Sequence, residues 1–341
     1  MADLVYKVED RSILLPIYRR IVVDPLIRFL PAKLSPNAIT HIGHLINLFG
    51  TAVLLALHPN QGWPFFVAAL CLNLYTWCDN ADGAHARRTK QCSPLGEFLD
   101  HGLDQFNTVY IAFLTCLGLG ATPLQWVAIA LLIPGGAVMT FWEQSNTGMM
   151  RLGLLNQIES VLVLSIVLLL SGVFGTAMWQ HPVAFGLTGR DLLVIWPCAT
   201  LLFGMARNVV RVAAQCGVKV MLPILAYLLF AACIFGAAVL DAIGAPFAVA
   251  LASALNVHLG MRMLARRLKK ESPNVEPLVL GGAVFAIVLV LLKLAGRPLA
   301  PDVVPFLVVI ACLMLMFQVV LDARTGVSML SRPAPGGVIA Q

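Results

Sequence analysis

Charged side chains are scarce in this sequence. Asp, Glu, Lys and Arg together make up 12% of the 341 residues, whereas soluble domains average about 25%. Hydrophobic residues make up 59%, and the mean hydropathy is +0.86. This composition excludes an ordinary soluble globular protein.

Paired cysteine motifs are missing as well. None of the eight cysteines forms a C-x2-C pair, and most fall inside apolar segments, where a free cysteine behaves as a small hydrophobic residue. We therefore expect neither a disulfide framework nor a zinc site. The cysteines are Cys71, Cys78, Cys92, Cys116, Cys198, Cys216, Cys233 and Cys312.

The sequence also lacks the pattern of a cleavable signal peptide. More than 30 charged and amphipathic residues precede the first long apolar run, which is not the order that a signal peptide has. The net charge of +6 comes mostly from basic residues at the ends of apolar segments. It needs no nucleic-acid partner to explain it, and we expect none.

What the sequence has instead is a series of apolar runs of about 20 residues, each long enough to cross a bilayer as a helix. We predict an all-α integral membrane protein with about ten transmembrane helices. The predicted spans are 35–57, 63–85, 96–117, 123–145, 157–178, 191–213, 219–240, 243–264, 276–296 and 302–322.

Lys and Arg concentrate in alternate loops between these spans. The positive-inside rule then places both termini and the loop after the second span in the cytoplasm. We predict a cytoplasmic or interfacial segment at 1–34, a transmembrane domain at 35–326 and a disordered cytoplasmic tail at 327–341. The membrane is either the bacterial inner membrane or the endoplasmic reticulum.

The first 57 residues contain two polar patterns. Residues 11–34 mix Leu, Ile and Val with basic residues, which is typical of an amphipathic helix lying in the membrane interface. In the first span, polar residues recur on one helical face, which should point to the interior of the bundle. Packing between helices is the alternative role for such a stripe. The stripe consists of Asn37, Thr40, His44 and Asn47.

Residues 79–104, DNADGAHARRTKQCSPLGEFLDHGLD, contain the densest polar signal in the chain. Asp79 and Asp82 share one helical face, as do Asp100 and Asp104. Four carboxylates around one pocket at a membrane edge need cations to neutralise them. Oxygen-only ligands suit Mg²⁺, Mn²⁺ or Ca²⁺ rather than zinc.

The spacing D-x2-D-G-x2-A-R-x8-G-x3-D-x3-D resembles the motif of the CDP-alcohol phosphotransferase family. The stretch SPLGEFLDHGLD further resembles the choline- and ethanolaminephosphotransferase branch, as do SPNAIT at 35–40, the W-E stretch at 141–159 and NVVRV at 208–212. Ala84-His85 departs from the polar pair that the family often has there. This leaves the headgroup preference, choline or ethanolamine, open.

This resemblance implies roles for individual residues. Asp79, Asp82, Asp100 and Asp104 would hold two Mg²⁺ ions, or Mn²⁺ in their place. The residues implied to contact the CDP-alcohol or to let it approach the helix backbone are Asn37, Gly83, Ala86, Arg87 and Glu97.

The general base is either His101 or Asp104. An aspartate bound to a metal is a weakened base, whereas a histidine in water has a pKa of about 6.5 and its neutral form is better poised to accept a proton. Glu97 lies four residues before His101 on the same helical face. We therefore favour His101 as the proton acceptor, with Glu97 supporting it.

The resemblance implies transfer of phosphocholine or phosphoethanolamine from CDP-choline or CDP-ethanolamine to diacylglycerol, with release of CMP. A CDP-diacylglycerol-dependent phosphatidyltransferase is the alternative reaction. A transporter and a membrane scaffold fit less well, because neither requires four aligned carboxylates at one membrane edge. The family also implies a homodimer. Aromatic candidates for a choline cage are Tyr75, Trp77, Phe106, Tyr110 and Trp142.

Overall fold

A computed structural model of the chain describes residues 7–57, 61–153, 156–269, 271, 274–300 and 302–331. Within these ranges ten helices are 18 residues or longer, and eight of them are long and apolar enough to cross a membrane. The other two contain the aspartate-rich motif, whose charged residues lower their mean hydropathy. The prediction of an all-α membrane protein is confirmed.

Short elements precede the long helices. Strand β1 (Lys7–Asp10) is followed by α1 (Leu15–Tyr18), a π-helical stretch (Arg19–Val23) and α2 (Asp24–Ile27). These three helical pieces are continuous, and their exposed apolar side chains recur at a spacing of four, as expected of a helix in the membrane interface. The exposed apolar residues of this segment include Ile13, Ile17 and Ile21.

The ten long helices agree in number and position with the ten predicted spans. Each predicted centre falls inside one helix, and most boundaries differ by only a few residues. They are α3 (Pro36–Leu57), α4 (Trp63–Thr89), α5 (Pro94–Leu119), α6 (Pro123–Thr147), α7 (Gln157–Phe174), α8 (Gly189–Cys216), α9 (Leu222–Val239), α10 (Ala245–Lys269), α11 (Pro277–Leu294) and α12 (Val303–Leu330).

The last helix is longer than the sequence predicted. Helix α12 continues to Leu330, so the first four residues of the segment predicted as a disordered tail, 327–341, are helical. Residues 327–330 include neither Gly nor Pro, and therefore nothing ends the helix at residue 326. Residues 332–341 lie outside the described part of the chain.

Two small sheets lie between the helices. Strand β2 (Met149–Leu152) pairs in parallel with β1, with Val8 opposite Met150, and ties the N-terminal segment to the connection between α6 and α7. Strands β3 (Pro182–Ala184) and β4 (Leu187–Thr188) form an antiparallel pair before α8.

A tight turn joins the two helices of the aspartate-rich motif. Helix α4 ends at Lys90 in a left-handed conformation with φ of 60°, and Ser93 caps α5 by accepting a hydrogen bond from the Gly96 amide. Pro94 occupies the first position of α5, where its missing N–H costs nothing. The two halves of the motif therefore meet at one end of the bundle, which we call the motif end.

Close helix packing brings α3 alongside α4. A Cβ atom on Gly43 would lie 2.6 Å from the Cβ of Cys78, and one on Gly50 would lie 2.5 Å from the Cβ of Cys71. These glycines are seven residues apart and therefore share a helical face, where only small residues allow such an approach. The same packing holds the start of α3 beside the motif.

Candidate metal and substrate site

Three aspartates converge at the motif end. Each of Asp79 on α4 and Asp100 and Asp104 on α5 has a carboxylate oxygen within 4.8 Å of the other two. The sequence predicted four carboxylates around one pocket, because Asp79 and Asp82 share one helical face and Asp100 and Asp104 another. Three of the four meet here. The cluster has the composition of a site for a hard divalent cation.

Neighbouring side chains hold the carboxylates in place. The Tyr75 hydroxyl donates to Oδ1 of Asp104 at 3.1 Å, and the Gln157 amide donates to Oδ2 of Asp79 at 2.8 Å. Asp82, which lies outside the group of three, accepts a hydrogen bond from the Thr40 hydroxyl at 2.5 Å. Helices α3 and α7 therefore help to orient the predicted ligands.

The donor set fits a divalent cation. Oδ1 of Asp100 is buried and has no hydrogen-bond partner within the described residues. The ion pairs found in that part of the chain include none of the four aspartates. Because buried anions without a partner are strongly unfavourable, a bound cation is the natural source of compensation.

The predicted substrate-binding residues surround the same end of α4 and α5. Oδ1 of Asn37 lies 3.0 Å from the position that a Cβ on Gly96 would take, so α3 and α5 touch here. A Cβ on Gly83 would have only the Arg87 guanidinium of its own helix within 4 Å, at 3.4 Å. Gly83 therefore faces open space, Ala86 is buried beside it, and Arg87 is exposed at the end of the helix.

His101 and Glu97 lie on the side of α5 that packs against α10. Successive residues of a helix point about 100° apart, and His101 packs against Phe141 with ring centroids 5.2 Å apart. Both His101 and Glu97 line a small cavity that α10 completes. The Glu97 carboxylate lies 3.9 Å from the Arg267 guanidinium. The predicted support of His101 by Glu97 stays a prediction.

The polar stripe of α3 does face the interior of the bundle. Besides the bond from Thr40 to Asp82, the Asn47 amide donates to Oδ1 of Asn107 at 3.1 Å. His44 lies beside Tyr110, with ring centroids 5.4 Å apart. Thr40 of this stripe thus contacts the aspartate site, whereas Asn47 and His44 contact neighbouring helices, which is the packing role given as the alternative.

The aromatic candidates do not share one cage. Phe106 and Tyr110 both lie against His44. The Tyr75 hydroxyl is hydrogen-bonded to Asp104. Trp142 is 2% exposed and belongs to the hydrophobic core formed with α9 and α10. Trp142 is therefore a core residue, and Trp77 is only partly buried.

Three neighbours of the site were not predicted from the sequence. Gln157 lies in the stretch 141–159 that resembles the family, which was the available signal. Tyr18 lies just before the π-helical stretch, near Asp79, and burial and the aspartate charge raise the pKa of Tyr18 to about 12. Arg267 is one of several basic residues at the end of α10. From the sequence, these residues were used only to assign the cytoplasmic side of the membrane.

The stretches 141–159 and 208–212 meet in a separate ionic network. Glu143 on α6 is fully buried and accepts hydrogen bonds from Arg151 at 2.6 Å and from Arg211 at 2.7 and 2.8 Å. This bidentate contact between Arg211 and Glu143 is a strong form of charged hydrogen bond. The resemblance at these two stretches therefore corresponds to a structural ion cluster.

The fold and this site together define a polytopic helical membrane protein with an acidic cluster at one end of its bundle. Residues 33–188 match the sequence pattern of the CDP-alcohol phosphatidyltransferase family. This match confirms the resemblance that the motif predicted. All four aspartates and His101 lie inside the matched region.

Similar curated proteins come from the branch that the motif indicated. Cholinephosphotransferase 1 of Danio rerio is 36% identical over 165 residues, which cover 46% of this chain and 42% of the relative. Choline/ethanolaminephosphotransferase 1 of Saccharomyces cerevisiae is 27% identical over 210 residues, which cover 59% of this chain and 53% of the relative. The chain spans about half the length of these relatives.

Proposed function

We propose that the protein transfers phosphocholine or phosphoethanolamine from a CDP-alcohol to diacylglycerol and releases CMP. The observation that carries this proposal is the partly buried group of Asp79, Asp100 and Asp104, inside the matched region. The choice of choline or ethanolamine as the alcohol rests on the names of the similar proteins, cholinephosphotransferase and choline/ethanolaminephosphotransferase.

The four aspartates would hold two Mg²⁺ ions, or Mn²⁺ in their place. When bound, such ions neutralise phosphate oxygens and favour in-line displacement at phosphorus. Thr40, Tyr75 and Gln157 then act by fixing three of the carboxylates through the hydrogen bonds described above.

The nucleotide would bind across the end of α4. Gly83 and Ala86 leave room for it beside the helix backbone. Arg87 is exposed and presents a planar fork that suits phosphate oxygens. Asn37 lies beside Gly96 at the start of α5, and Glu97 lines the small cavity beside His101.

The acceptor lipid would approach His101 from the side where α5 and α10 meet at the small cavity. His101 accepts the proton of the diacylglycerol hydroxyl, and the resulting oxygen attacks the β-phosphorus. The bond from that phosphorus to the bridging oxygen breaks, and CMP leaves with the electron pair. The apolar lining of the cavity, with Phe98 and Leu264 beside His101, suits a glycerolipid.

CMP release by the purified protein tests this reaction. In detergent with diacylglycerol and Mg²⁺, we expect turnover of CDP-choline or CDP-ethanolamine, lost in Asp104→Ala and with EDTA. CDP-diacylglycerol with free alcohols is the control. Turnover of CDP-diacylglycerol alone would reverse donor and acceptor, and the role given to His101 would fall with it.

We also propose that the motif end faces the cytoplasm, as the positive-inside rule predicts. Cys92 is an exposed native thiol in the turn between α4 and α5, and it reports this orientation directly. A membrane-impermeant maleimide should label Cys92 in inverted membrane vesicles and not in right-side-out vesicles. Cys92→Ser is the control, and the opposite pattern would place the site on the other side.

The family resemblance further suggests a homodimer. Its support here is the extensive apolar surface of the helices. In the most apolar 18-residue stretch of α8, only 11% of the residues are buried inside the chain. Light scattering of the detergent-solubilised protein, corrected for bound detergent, should give twice the mass of one 36.7 kDa chain. A mass of one chain would refute the dimer.

A further inference from the structure

A second polar cavity lies at the motif end, between the C-terminal halves of α10 and α12. Its volume is about 700 Å³, and it is open to the surface. Helix α10 contributes Arg262 and Lys269, and α12 contributes most of the remaining lining, including Asp322 and Arg324. None of these residues belongs to the aspartate site, and all lie outside the matched region.

The floor of this cavity contains a buried carboxylate with one unused oxygen. Asp322 is 1% exposed. Its Oδ1 accepts hydrogen bonds from Arg262 at 2.7 Å and from Gln318 at 3.3 Å. Its Oδ2 is buried and has no hydrogen-bond partner in the described part of the chain. A buried acceptor of this kind calls for an N–H or O–H donor from a ligand.

The mouth of the cavity carries positive charge that the described residues neutralise only in part. Arg262 is already shared between Glu276 at 2.8 Å and Asp322. Arg324 is exposed and has no ion-pair partner among the described residues. Lys269 has only the exposed Glu271, at 3.6 Å, and such surface pairs are weak. Two cations are thus available for an anion.

We propose that this cavity binds a phosphorylated primary amine in the form of a phospholipid headgroup. The phosphate lies between Lys269 and Arg324, and the ammonium group donates a hydrogen bond to Oδ2 of Asp322. A quaternary ammonium has no N–H and cannot make that bond. The cavity therefore favours an ethanolamine headgroup over a choline headgroup.

The lipid source is indicated by the apolar side of the cavity. Leu321 and Met329 line it and are 37% and 44% exposed. Along α12 they continue an exposed apolar surface that includes Leu313 and Phe317. This surface offers acyl chains a path from the headgroup into the bilayer, which a soluble phosphate compound does not need.

Ligand-dependent thermal unfolding of the detergent-solubilised protein in EDTA tests the proposal, because a ligand of the folded state raises the midpoint. The probes are dioctanoyl phosphatidylethanolamine, the matching choline and glycerol lipids, and free phosphoethanolamine. We expect the ethanolamine lipid to bind at least about fivefold more tightly than the choline lipid, since one charged hydrogen bond separates them.

Variants of the cavity localise the binding. Lys269→Gln and Arg324→Gln should each weaken the ethanolamine lipid about three- to fivefold, as expected for a partly exposed charge pair. Arg297→Gln, which removes an exposed charge beyond the opposite end of α11, should leave binding unchanged. Asp322→Asn should bring the ethanolamine lipid to the affinity of the choline lipid.

The other outcomes also decide the matter. Equal binding of ethanolamine, choline and glycerol lipids overturns the proposal, as does binding in Lys269→Gln and Arg324→Gln that matches Arg297→Gln. Because both variants leave Asp322 and Arg262 paired, this result does not depend on whether Asp322→Asn folds. Equal affinity for free phosphoethanolamine supports the headgroup chemistry and assigns it to a soluble compound.

Discussion

Two carboxylate clusters in this protein are built in opposite ways. Glu143 is fully buried and has two arginines on its oxygens, both within 3 Å. Asp79, Asp100 and Asp104 gather within 4.8 Å of one another, and the ion pairs identified among the described residues do not include them. One cluster supplies its own cations, and the other does not.

The difference separates structure from chemistry. A buried carboxylate that is paired with arginine stabilises the helices that bring the partners together, and breaking it leaves uncompensated charge. Unpaired carboxylates cost stability, and a protein retains them where a ligand completes them. The Glu143 network is therefore expected to control folding, and the aspartate group to control activity.

The largest expected effect comes from the aspartate group. Asp104→Asn should lower turnover at least about 10³-fold, because it removes a ligand of the metal that stabilises the transferring phosphate. It should not lower the unfolding midpoint in EDTA, since it removes one of several repelling charges. Mg²⁺ should raise the midpoint of the wild type and not of the variant. A variant that is less stable in EDTA would mean that the aspartates are paired internally after all.

The opposite result is expected at Glu143. Glu143→Gln leaves Arg211 without its carboxylate partner and leaves Arg151 only Glu9, at 3.5 Å, and should lower the free energy of unfolding by about 3 kcal/mol. Denaturant unfolding in detergent measures this. Asp241→Asn is the matched control, because Asp241 pairs with Lys293 at 3.6 Å while 85% exposed. Equal stability of the two variants would remove the structural role assigned to the network.

His101 sharpens the comparison within the site. His101→Gln should lower turnover about 100-fold, which is within the range of general-base catalysis. Its Mg²⁺-induced rise in unfolding midpoint should match that of the wild type, because His101 is not one of the four predicted metal ligands. Near-normal turnover would exclude His101 as the base and leave Asp104 in that role.

Much of this arrangement could be predicted from the sequence, for physical reasons. The number and positions of the long helices follow from apolar length, and the meeting of Asp79 with Asp100 and Asp104 follows from helical periodicity and a short connection. The environment of each side chain does not follow, because it depends on which distant helix arrives beside it. Gln157 reaches Asp79, and Arg267 reaches Glu97, from α7 and α10.

The predicted end of α12 was wrong for a related reason. We predicted a disordered tail from residue 327. However, Gly326 packs so closely on Phe98 that a Cβ would lie 2.2 Å from that ring. This tertiary contact holds the last turns of α12 beside the start of α5, and the sequence of the tail carries no sign of it.

The smallest expected effect tests how finely the aspartates are positioned. The Thr40 hydroxyl donates a hydrogen bond to Asp82, which lies outside the group of three. Loss of this hydroxyl changes the orientation of the Asp82 carboxylate and leaves the charge of the carboxylate unchanged. Thr40→Val should lower turnover about fivefold, the cost of one hydrogen bond of about 1 kcal/mol. Thr40→Ser should restore activity, because the hydroxyl returns.

Thr51→Val is the matched control on the same helix. The Thr51 hydroxyl is buried and donates to the Asn47 carbonyl at 2.8 Å, further along α3 from the motif end. The two variants therefore lose the same chemical group from similar surroundings, and only one loses contact with an aspartate. If both lower turnover equally, the effect of Thr40 comes from packing of α3, and Asp82 does not need orientation. If only Thr40→Val lowers it, Asp82 takes part in the reaction although it stands apart from the other three aspartates.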